Sequence, residues 1–180
     1  MGFSHYWRFK DSNLPKDKFD KIVKDVKVIE KYFKENKVIS KNAYCNSKAR
    51  VRLADGLGEG DGVNYTVHLQ DNKISEYQSF AFNGVGDLSH ETFSINEGLN
   101  EWNFCKTARK PYDLAVCLVL LSIKYHVRSA RITSDGDNDD WQHSFELFKT
   151  LFPKRNVSFK FKDWVKDDKY KDGSLSIIRG

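Results

Sequence analysis

Cysteine is scarce in this sequence, and its spacing excludes the frameworks that cysteines usually build. Only three occur in 180 residues, at Cys45, Cys105 and Cys117. An odd number excludes a fully paired disulfide scaffold, and the wide spacing is not that of zinc ligands. We therefore expect a protein of a reducing compartment, with a cytoplasmic location.

Long apolar runs are missing as well. The longest, from Leu114 to Ile123, is too short for a bilayer crossing, which takes about 20 residues. The first residues lack the basic and then apolar layout of a signal peptide, and Tyr6 stands where a myristoylation signal needs Ser or Thr. We expect no membrane partner.

The sequence contains partial matches to metal-binding and phosphate-binding motifs, but none of these motifs is complete. The segment that begins at His90 lacks the second histidine of a zinc helix, and the acidic segment 134–140 has its glycine misplaced for a calcium loop. The glycines between 56 and 62 alternate with acids and precede a predicted strand, whereas a phosphate loop precedes a helix. We expect no metal and no cofactor, a loop at 56–62, and a role in helix capping for the acidic segment.

Charge is segregated along the chain. Residues 1–52 carry 14 Lys and Arg against 6 Asp and Glu, residues 53–104 carry 1 against 9, and residues 105–180 carry 15 against 10. The lysines of the first third recur at helical spacing between Lys18 and Lys34, which favours a solvated helix face over a nucleic-acid patch. Nucleic acid therefore stays open as a less favoured partner, and so does a homo-oligomer.

Hydrophobic periodicity predicts the regular elements. Alternation from Phe3 to Lys10 predicts a strand, and apolar residues spaced by three and four predict a helix of about five turns over Phe19–Phe33. Turn-forming residues at 70–73 predict a hairpin between strands 64–69 and 74–82. Further along, we expect short strands at 49–53 and 131–133, a helix over 141–151, an edge strand at 157–161 and a loosely attached tail over 167–180.

The stretch from about 111 to 125 organises these elements. Pro111 is a good first helical residue, and the residues after it are apolar on every face, which predicts a helix buried on all sides. We therefore expect one domain over residues 1–180 of the α+β class, with a mainly antiparallel sheet packed around this central helix and two further helices alongside.

The residues before that helix are candidates for an anion site. Lys106, Thr107, Arg109 and Lys110 combine three cations and a hydroxyl at a helix N-terminus, where N–H groups and the macrodipole favour anions. The structural alternative is that these cations pair with the acidic middle third, which includes Glu97 and Glu101.

Cys105 and His90 are the candidate catalytic pair. A cysteine beside cations at a helix start has a lowered pKa, and its thiolate is a nucleophile that a histidine base can assist. The alternative is that Cys105 packs as a small buried hydrophobe and that His90 is a hydrogen-bonding loop residue.

Four segments together resemble a family of small proteins encoded by bacteriophages, bacteria and some fungi. They are Gly2–Trp7, Phe82–Gly84, His90–Phe93 and the run FCKTARKPYD at 104–113, and the likeness covers roughly residues 1–150. The resemblance implies that His90, Cys105, Lys106, Thr107, Arg109 and Tyr112 belong to the family signature, and it implies no particular reaction. A phage setting implies interference with host defence in the bacterial cytoplasm, for example by sequestering a nucleotide messenger.

These observations lead to one functional expectation and two alternatives. We expect binding of a small phosphate-bearing ligand at 105–113, with His5, Trp7 and His90 as neighbours and with Trp7 and Tyr112 stacking on a base. The first alternative is an enzyme that uses Cys105 as nucleophile and His90 as base. The second is a protein-interaction module whose segregated charge engages a host factor.

Overall fold

The computed structural model describes residues 2–41, 49–161 and 174–179. Within these ranges the chain forms three α-helices, α1 (Lys16–Glu35), α2 (Asp113–His126) and α3 (Asn138–Leu151). Its strands are β1 (Ser4–Arg8), β2 (Asn13–Leu14), β3 (Asn64–Gln70), β4 (Lys73–Phe82), β5 (Phe93–Asn96), β6 (Gly98–Leu99), β7 (Asn103–Lys106), β8 (Arg131–Ser134), β9 (Val157–Phe161) and β10 (Leu175–Arg179). Every strand pairing between them is antiparallel, and the predicted α+β class is confirmed.

The central element is α2, as predicted. Every residue from Asp113 to Ile123 is buried, and the helix packs against both α1 and α3. It begins two residues later than we expected, because a turn precedes it in which the Asp113 N–H donates to the Lys110 carbonyl at 2.9 Å. None of the helices in the described ranges combines the length and the apolar character that crossing a membrane requires.

The strands form four small sheets rather than the single sheet we expected. One has the order β7-β1-β8 and another the order β3-β4-β5, while β9 pairs with β10 and β2 with β6. The first of these sheets is the one that positions the stretch singled out in the sequence, because β7 leads into α2 and β1 pairs with β7 along its length.

The predicted hairpin is confirmed. Its strands are β3 and β4, and its turn residues Asp71 and Asn72 have φ values of 51° and 59°. Asn and Asp tolerate this left-handed region better than other side chains, so the turn chemistry read from the sequence explains the sharp reversal.

Two segments differ from expectation. No strand forms at 49–53, where a single bridge joins Arg50 to Ile39 and the apolar side chains are buried against the core. The predicted loose tail instead includes β10, because the alternating apolar side chains of Leu175 and Ile177 pack against the core while the backbone pairs with β9. Cys45 and residues 162–173 lie outside the described residues.

The acidic turn before α3 caps that helix. The Asp137 carboxylate accepts the N–H groups of Asp139 at 2.9 Å and Asp140 at 3.2 Å, and the Asp140 carboxylate accepts the Asp137 N–H at 3.2 Å. This reciprocal capping box satisfies donors that the first helical turn leaves without partners. The capping role that we predicted for these acids is confirmed.

A buried carboxylate connects α1 to α2 and to the segment after α3. Asp25 of α1 is bonded to the Ser122 hydroxyl at 2.6 Å, the His126 ring at 2.9 Å and both terminal nitrogens of Arg155 at 2.6 and 2.7 Å. Burial raises the pKa of the Asp25 carboxyl, but the hydrogen bonds from His126, Arg155 and Ser122 outweigh burial and leave the pKa below its ordinary value. The carboxylate is therefore held charged inside the fold.

Candidate functional site

The cations of the predicted anion site are anchored to the chain's own groups. The Arg109 guanidinium forms a two-point ion pair with the Asp140 carboxylate, with an Nη2–Oδ2 distance of 3.2 Å, and lies 3.9 Å from the centre of the Phe3 ring. The Lys110 ammonium donates to the Asp87 carbonyl at 2.9 Å. Bidentate pairing is the geometry in which Arg binds carboxylates and phosphates alike, so Asp140 takes the place of a phosphate here.

The carboxylate of Asp113 occupies the start of α2. It accepts hydrogen bonds from the Thr107 hydroxyl and from His5 Nε2, the latter at 2.8 Å, and the residue is 9% exposed. A carboxylate at a helix N-terminus is stabilised by the helix dipole, as an external anion would be. We expected the competing acids to be Glu97 and Glu101, but they come from α2 and α3 instead, because the fold brings these helices to the end of β7.

The His5 ring has a defined tautomer. The Ser134 hydroxyl oxygen accepts the Gly136 N–H at 3.0 Å and the Trp141 indole N–H at 3.2 Å, which engages both of its lone pairs. Its own proton must therefore go to His5 Nδ1 at 2.9 Å, which leaves the ring proton on Nε2 to be donated to Asp113. Although the order Asp, His, Ser resembles a catalytic triad, Ser134 has no lone pair left with which to attack a substrate.

His5, Asp113 and Cys117 also form the one group of metal-ligating side chains that converges in the described ranges. Their ligand atoms all lie within 4.8 Å of one another. Bonds of about 2.0 Å in a tetrahedral site hold neighbouring ligand atoms about 3.3 Å apart, whereas Nε2 and Oδ1 are joined at 2.8 Å by a proton that a metal would have to displace. The geometry is that of a hydrogen-bonded cluster and does not fit a metal site.

The predicted catalytic pair is not brought together. Cys105 is fully buried, its thiol donates to the Glu91 carbonyl at 3.4 Å, and burial raises the pKa of the thiol to about 12. His90 is exposed, and its backbone is held by the Asn83 side chain through bonds of 2.9 Å at both its N–H and its carbonyl. Within the described residues no hydrogen bond joins the His90 ring to the thiol, so the buried structural alternative for Cys105 describes its environment.

The aromatic rings that we predicted to stack on a base are inside the protein. Trp7 is 2% exposed and packs on Phe93 with a centroid distance of 4.8 Å. Tyr112 is fully buried, its hydroxyl donates to the Glu91 carbonyl at 2.7 Å, and burial raises its pKa. Thr107 is fully buried too, so these three predicted ligand contacts are contradicted by their burial.

The opposite side of the same strands exposes a different set of aromatic rings. Tyr6 is directly opposite Phe104 in the register of β1 and β7, and the two ring centroids are 6.4 Å apart. Trp102, just before β7, lies 6.0 Å from Tyr6. Phe104 and Trp102 are 55% and 58% exposed. We call these three residues the aromatic face.

Cations flank the aromatic face at both ends. At one end Lys106 is paired in register with Ser4, and at the other Arg8 is paired with Arg131. Both arginines are exposed and Lys106 is partly exposed. Two acids are adjacent: the Asp135 carboxylate accepts the Ser4 N–H at 2.8 Å and the Tyr6 hydroxyl at 3.4 Å, and the Glu91 carboxylate accepts the Lys106 N–H at 2.7 Å. The aromatic face is therefore flanked by Lys106 at one end and by Arg8 and Arg131 at the other.

A cavity lies beside the C-terminal half of α1, apart from the aromatic face. Its volume is about 320 Å³ and it is lined by Glu30, Phe33, Lys34, Arg50, Arg52, Leu53 and Asp61. Lys34 is paired with Glu30 at 3.0 Å, and Arg50 donates to the last carbonyls of the helix, those of Phe33 and Lys34. Its two apolar lining side chains are buried, so this cavity has charge but no exposed ring on which a base could stack.

Sequence reasoning missed the aromatic face although its signal was present. The alternation that predicted β1 places His5 and Trp7 on one side and Ser4, Tyr6 and Arg8 on the other. The predicted site contains the inward residues, because they lie close to the start of the helix. The outward residues could have been identified by applying the same period of two to the residues before Lys106.

Comparisons with known proteins find no relative. No protein-family model matches the chain, and neither the curated proteins nor the solved structures contain a significant match.

Proposed function

We propose that this protein binds a phosphate-bearing nucleotide ligand on the aromatic face. The observation that carries the proposal is the group of rings formed by the exposed Trp102 and Phe104 and the partly exposed Tyr6, with cations at both ends. A nucleobase stacks on an aromatic ring, and a basic side chain beside the ring pairs with its phosphate. The proposed ligand is thus still the nucleotide expected from the sequence. The proposed stacking residues are Tyr6, Trp102 and Phe104 instead of Trp7 and Tyr112.

Packing of the protein core does not explain why these rings lie at the surface. Large aromatic side chains contribute most to stability when buried, yet Trp102 and Phe104 leave more than half of their area in water. Single exposed apolar side chains are ordinary, but an exposed cluster rimmed by polar groups is typical of a binding surface. The cluster is therefore better explained by a ligand than by the fold.

Part of the predicted site lies next to one end of this face. Lys106 flanks the aromatic face, and its carbonyl accepts the N–H of Glu91, the residue after His90, at 3.3 Å. His90 is exposed, and Lys110 is partly exposed. These three are the members of the predicted site that a phosphate on the surface can reach.

Binding without turnover is the activity we propose. The support is that neither Cys105 nor Ser134 is an activated nucleophile, since the Cys105 thiol is buried with a pKa of about 12 and the Ser134 hydroxyl is fully hydrogen-bonded. Together with the resemblance to phage proteins, this favours sequestration of a nucleotide, such as a messenger in host defence. An enzyme acting through Cys105 receives no support from this geometry.

The proposal is tested by calorimetric titration of the whole chain with a panel of mononucleotides, dinucleotides and cyclic nucleotides. The variants are Phe104→Ala and Arg8→Ala on the face, and Arg52→Ala in the cavity beside α1. We expect a ligand whose affinity falls in both face variants and is unchanged in Arg52→Ala. Base stacking is worth about 1–3 kcal/mol per ring, so the Phe104 effect is measurable.

Two results contradict this proposal. If no nucleotide binds, the proposed function is wrong. If binding depends on Arg52 and is unaffected by the face variants, the ligand occupies the cavity and the assignment of the face is wrong. Circular dichroism of each variant verifies that a lost affinity does not reflect lost folding.

A further inference from the structure

We infer that the ligand of the aromatic face is single-stranded nucleic acid. This inference rests on the proposed function and narrows its ligand from nucleotides in general to a linear chain of them. It is carried by the spacing of the rings and by the separation of the flanking cations.

The rings are arranged as separate platforms. Tyr6 lies 6.0 Å from Trp102 and 6.4 Å from Phe104, with tilts of 37° and 33° between the ring planes. Stacked bases in a duplex follow one another at about 3.4 Å along each strand, and their faces are covered by their neighbours. Bases that use two of these rings must therefore be unstacked from each other, which a single strand permits and a duplex does not.

The cations are too far apart for one phosphate. Lys106 is in register with Ser4 at the start of β1, and Arg131 is in register with Arg8 at its end. Four residues of strand separate these two positions, which corresponds to about 13 Å. Phosphates at successive positions of a chain can reach both ends at once, whereas a mononucleotide reaches only one.

The charge on the face is of the sign that a phosphate chain requires. Lys106 and Arg8 flank the rings at opposite ends, while Asp135 is hydrogen-bonded to Tyr6 and the Glu91 carboxylate accepts the Lys106 N–H. A protein that neutralises Z phosphates of a single strand shows a slope of log K against log salt of about −0.7Z, so contacts from Lys106 and Arg8 give a slope of about −1.4. This charge complementarity favours nucleic acid over an acidic or neutral partner.

The test is fluorescence anisotropy of the full chain with labelled oligothymidylates of two to twelve nucleotides. Thymidine monophosphate and a duplex of the same length are the competitors. We expect affinity to rise with length until the face is filled, and competition by monophosphate or duplex to be at least tenfold weaker than by the single strand. The salt slope should be about −1.4.

Three variants locate the binding. Trp102→Ala and Phe104→Ala should each weaken binding at least about fivefold, the lower end of the range for a stacking ring. Arg8→Ala should make the salt slope shallower by about 0.7. The control is Lys154→Ala, an exposed lysine after α3, which should leave both affinity and slope unchanged.

The outcomes separate this inference from the proposed function. If the monophosphate binds as tightly as the longer strands, the inference is wrong and the proposed function stands. If no strand binds, the inference is wrong, and the proposed function is then decided by the titration with the nucleotide panel. If no strand binds and Trp102→Ala converts a dimer to a monomer in light scattering, the face is a contact between copies of this chain, and both are wrong.

Discussion

The two sides of the three-stranded sheet are made by alternate residues of the same strands, yet their polar groups have opposite surroundings. On the inner side His5 and Thr107 are fully buried, and each is hydrogen-bonded to Asp113. On the outer side Phe104 and Lys106 extend toward solvent. The inner side therefore joins β1 and β7 to α2, and the outer side is left open to solvent.

This difference shows that a chemically rich segment is not itself a site. Consecutive residues of the signature alternate, with Phe104 and Lys106 outside and with Cys105 and Thr107 inside. The inward side chains of this segment, Cys105 and Thr107, form hydrogen bonds within the protein. The comparison predicts that inner substitutions change stability and that outer ones change binding.

The matched pair Trp7→Ala and Phe104→Ala gives the largest expected contrast. Trp7 is 2% exposed, so removing its ring leaves a cavity that should lower the free energy of unfolding by about 3–5 kcal/mol. Phe104 is 55% exposed, and its loss should change that free energy by about 0.5 kcal/mol or less. Urea denaturation measures both, and similar costs for the two variants would break the distinction between the sides.

Asp113→Ala is expected to have the next largest effect. It removes the carboxylate that accepts the buried His5 Nε2–H, at a cost of about 1–3 kcal/mol, and leaves the Thr107 hydroxyl only the Phe3 carbonyl at 3.5 Å, at a cost of about 1 kcal/mol, so unfolding should become easier by about 2–4 kcal/mol. Asp113→Asn keeps an acceptor oxygen and should cost less. The control is Asp87→Ala, because Asp87 is exposed and holds Lys110 through its backbone carbonyl alone. A stable Asp113→Ala protein that lost ligand binding would place Asp113 in the site instead.

The other buried carboxylate, Asp25, makes a smaller contribution that depends on pH. Its folded-state pKa is depressed, so its charged form stabilises the fold above the unfolded-state pKa of about 4 and that contribution is lost as the pH falls through the lower folded-state value. Denaturation curves should be measured between about pH 6 and pH 2, a range that brackets this titration. Over that range the free energy of unfolding should fall more in wild type than in Asp25→Asn. Equal losses in the two proteins would contradict the assigned hydrogen bonds.

The smallest effect is the expected inertness of the Cys105 thiol. With a pKa of about 12, roughly one thiol in 10,000 is ionised at pH 8, and the side chain is fully buried. Iodoacetamide should therefore leave Cys105 unmodified in the native protein and modify it in urea, as measured by mass spectrometry of the peptide that contains it. Rapid modification of the native protein would return Cys105 to the set of candidate nucleophiles.

Local patterns predicted most of the elements because each depends on residues close in sequence. The apolar stretch predicted α2, the alternation from Phe3 predicted β1, and turn-forming residues predicted the β3–β4 hairpin, all within a few residues of the observed bounds. The acids before α3 predicted its cap for the same reason. The division into four sheets and the pairing of β10 with β9 involve partners far apart in the chain, and no local pattern encodes them.

The predicted and the proposed sites share the expected nucleotide ligand but differ in their residues. The sequence prediction rested on the cations at 106–110 and on Trp7 and Tyr112, and Lys106 belongs to both sites. The partner of Arg109 was not predictable, because Asp140 lies 31 residues from Arg109 along the chain. Whether a cation is paired or available depends on which acids the fold brings to it.

The sequence by itself determined the α+β class, the buried central helix and the alternation that separates the two sides of β1, because periodicity and burial are linked residue by residue. Only the tertiary structure decided which side of that strand is covered. Once α2 and α3 pack on the inner side, His5, Trp7 and Tyr112 are enclosed and their hydrogen bonds are satisfied within the chain. The outer side, where Tyr6, Trp102 and Phe104 lie, is left open to solvent.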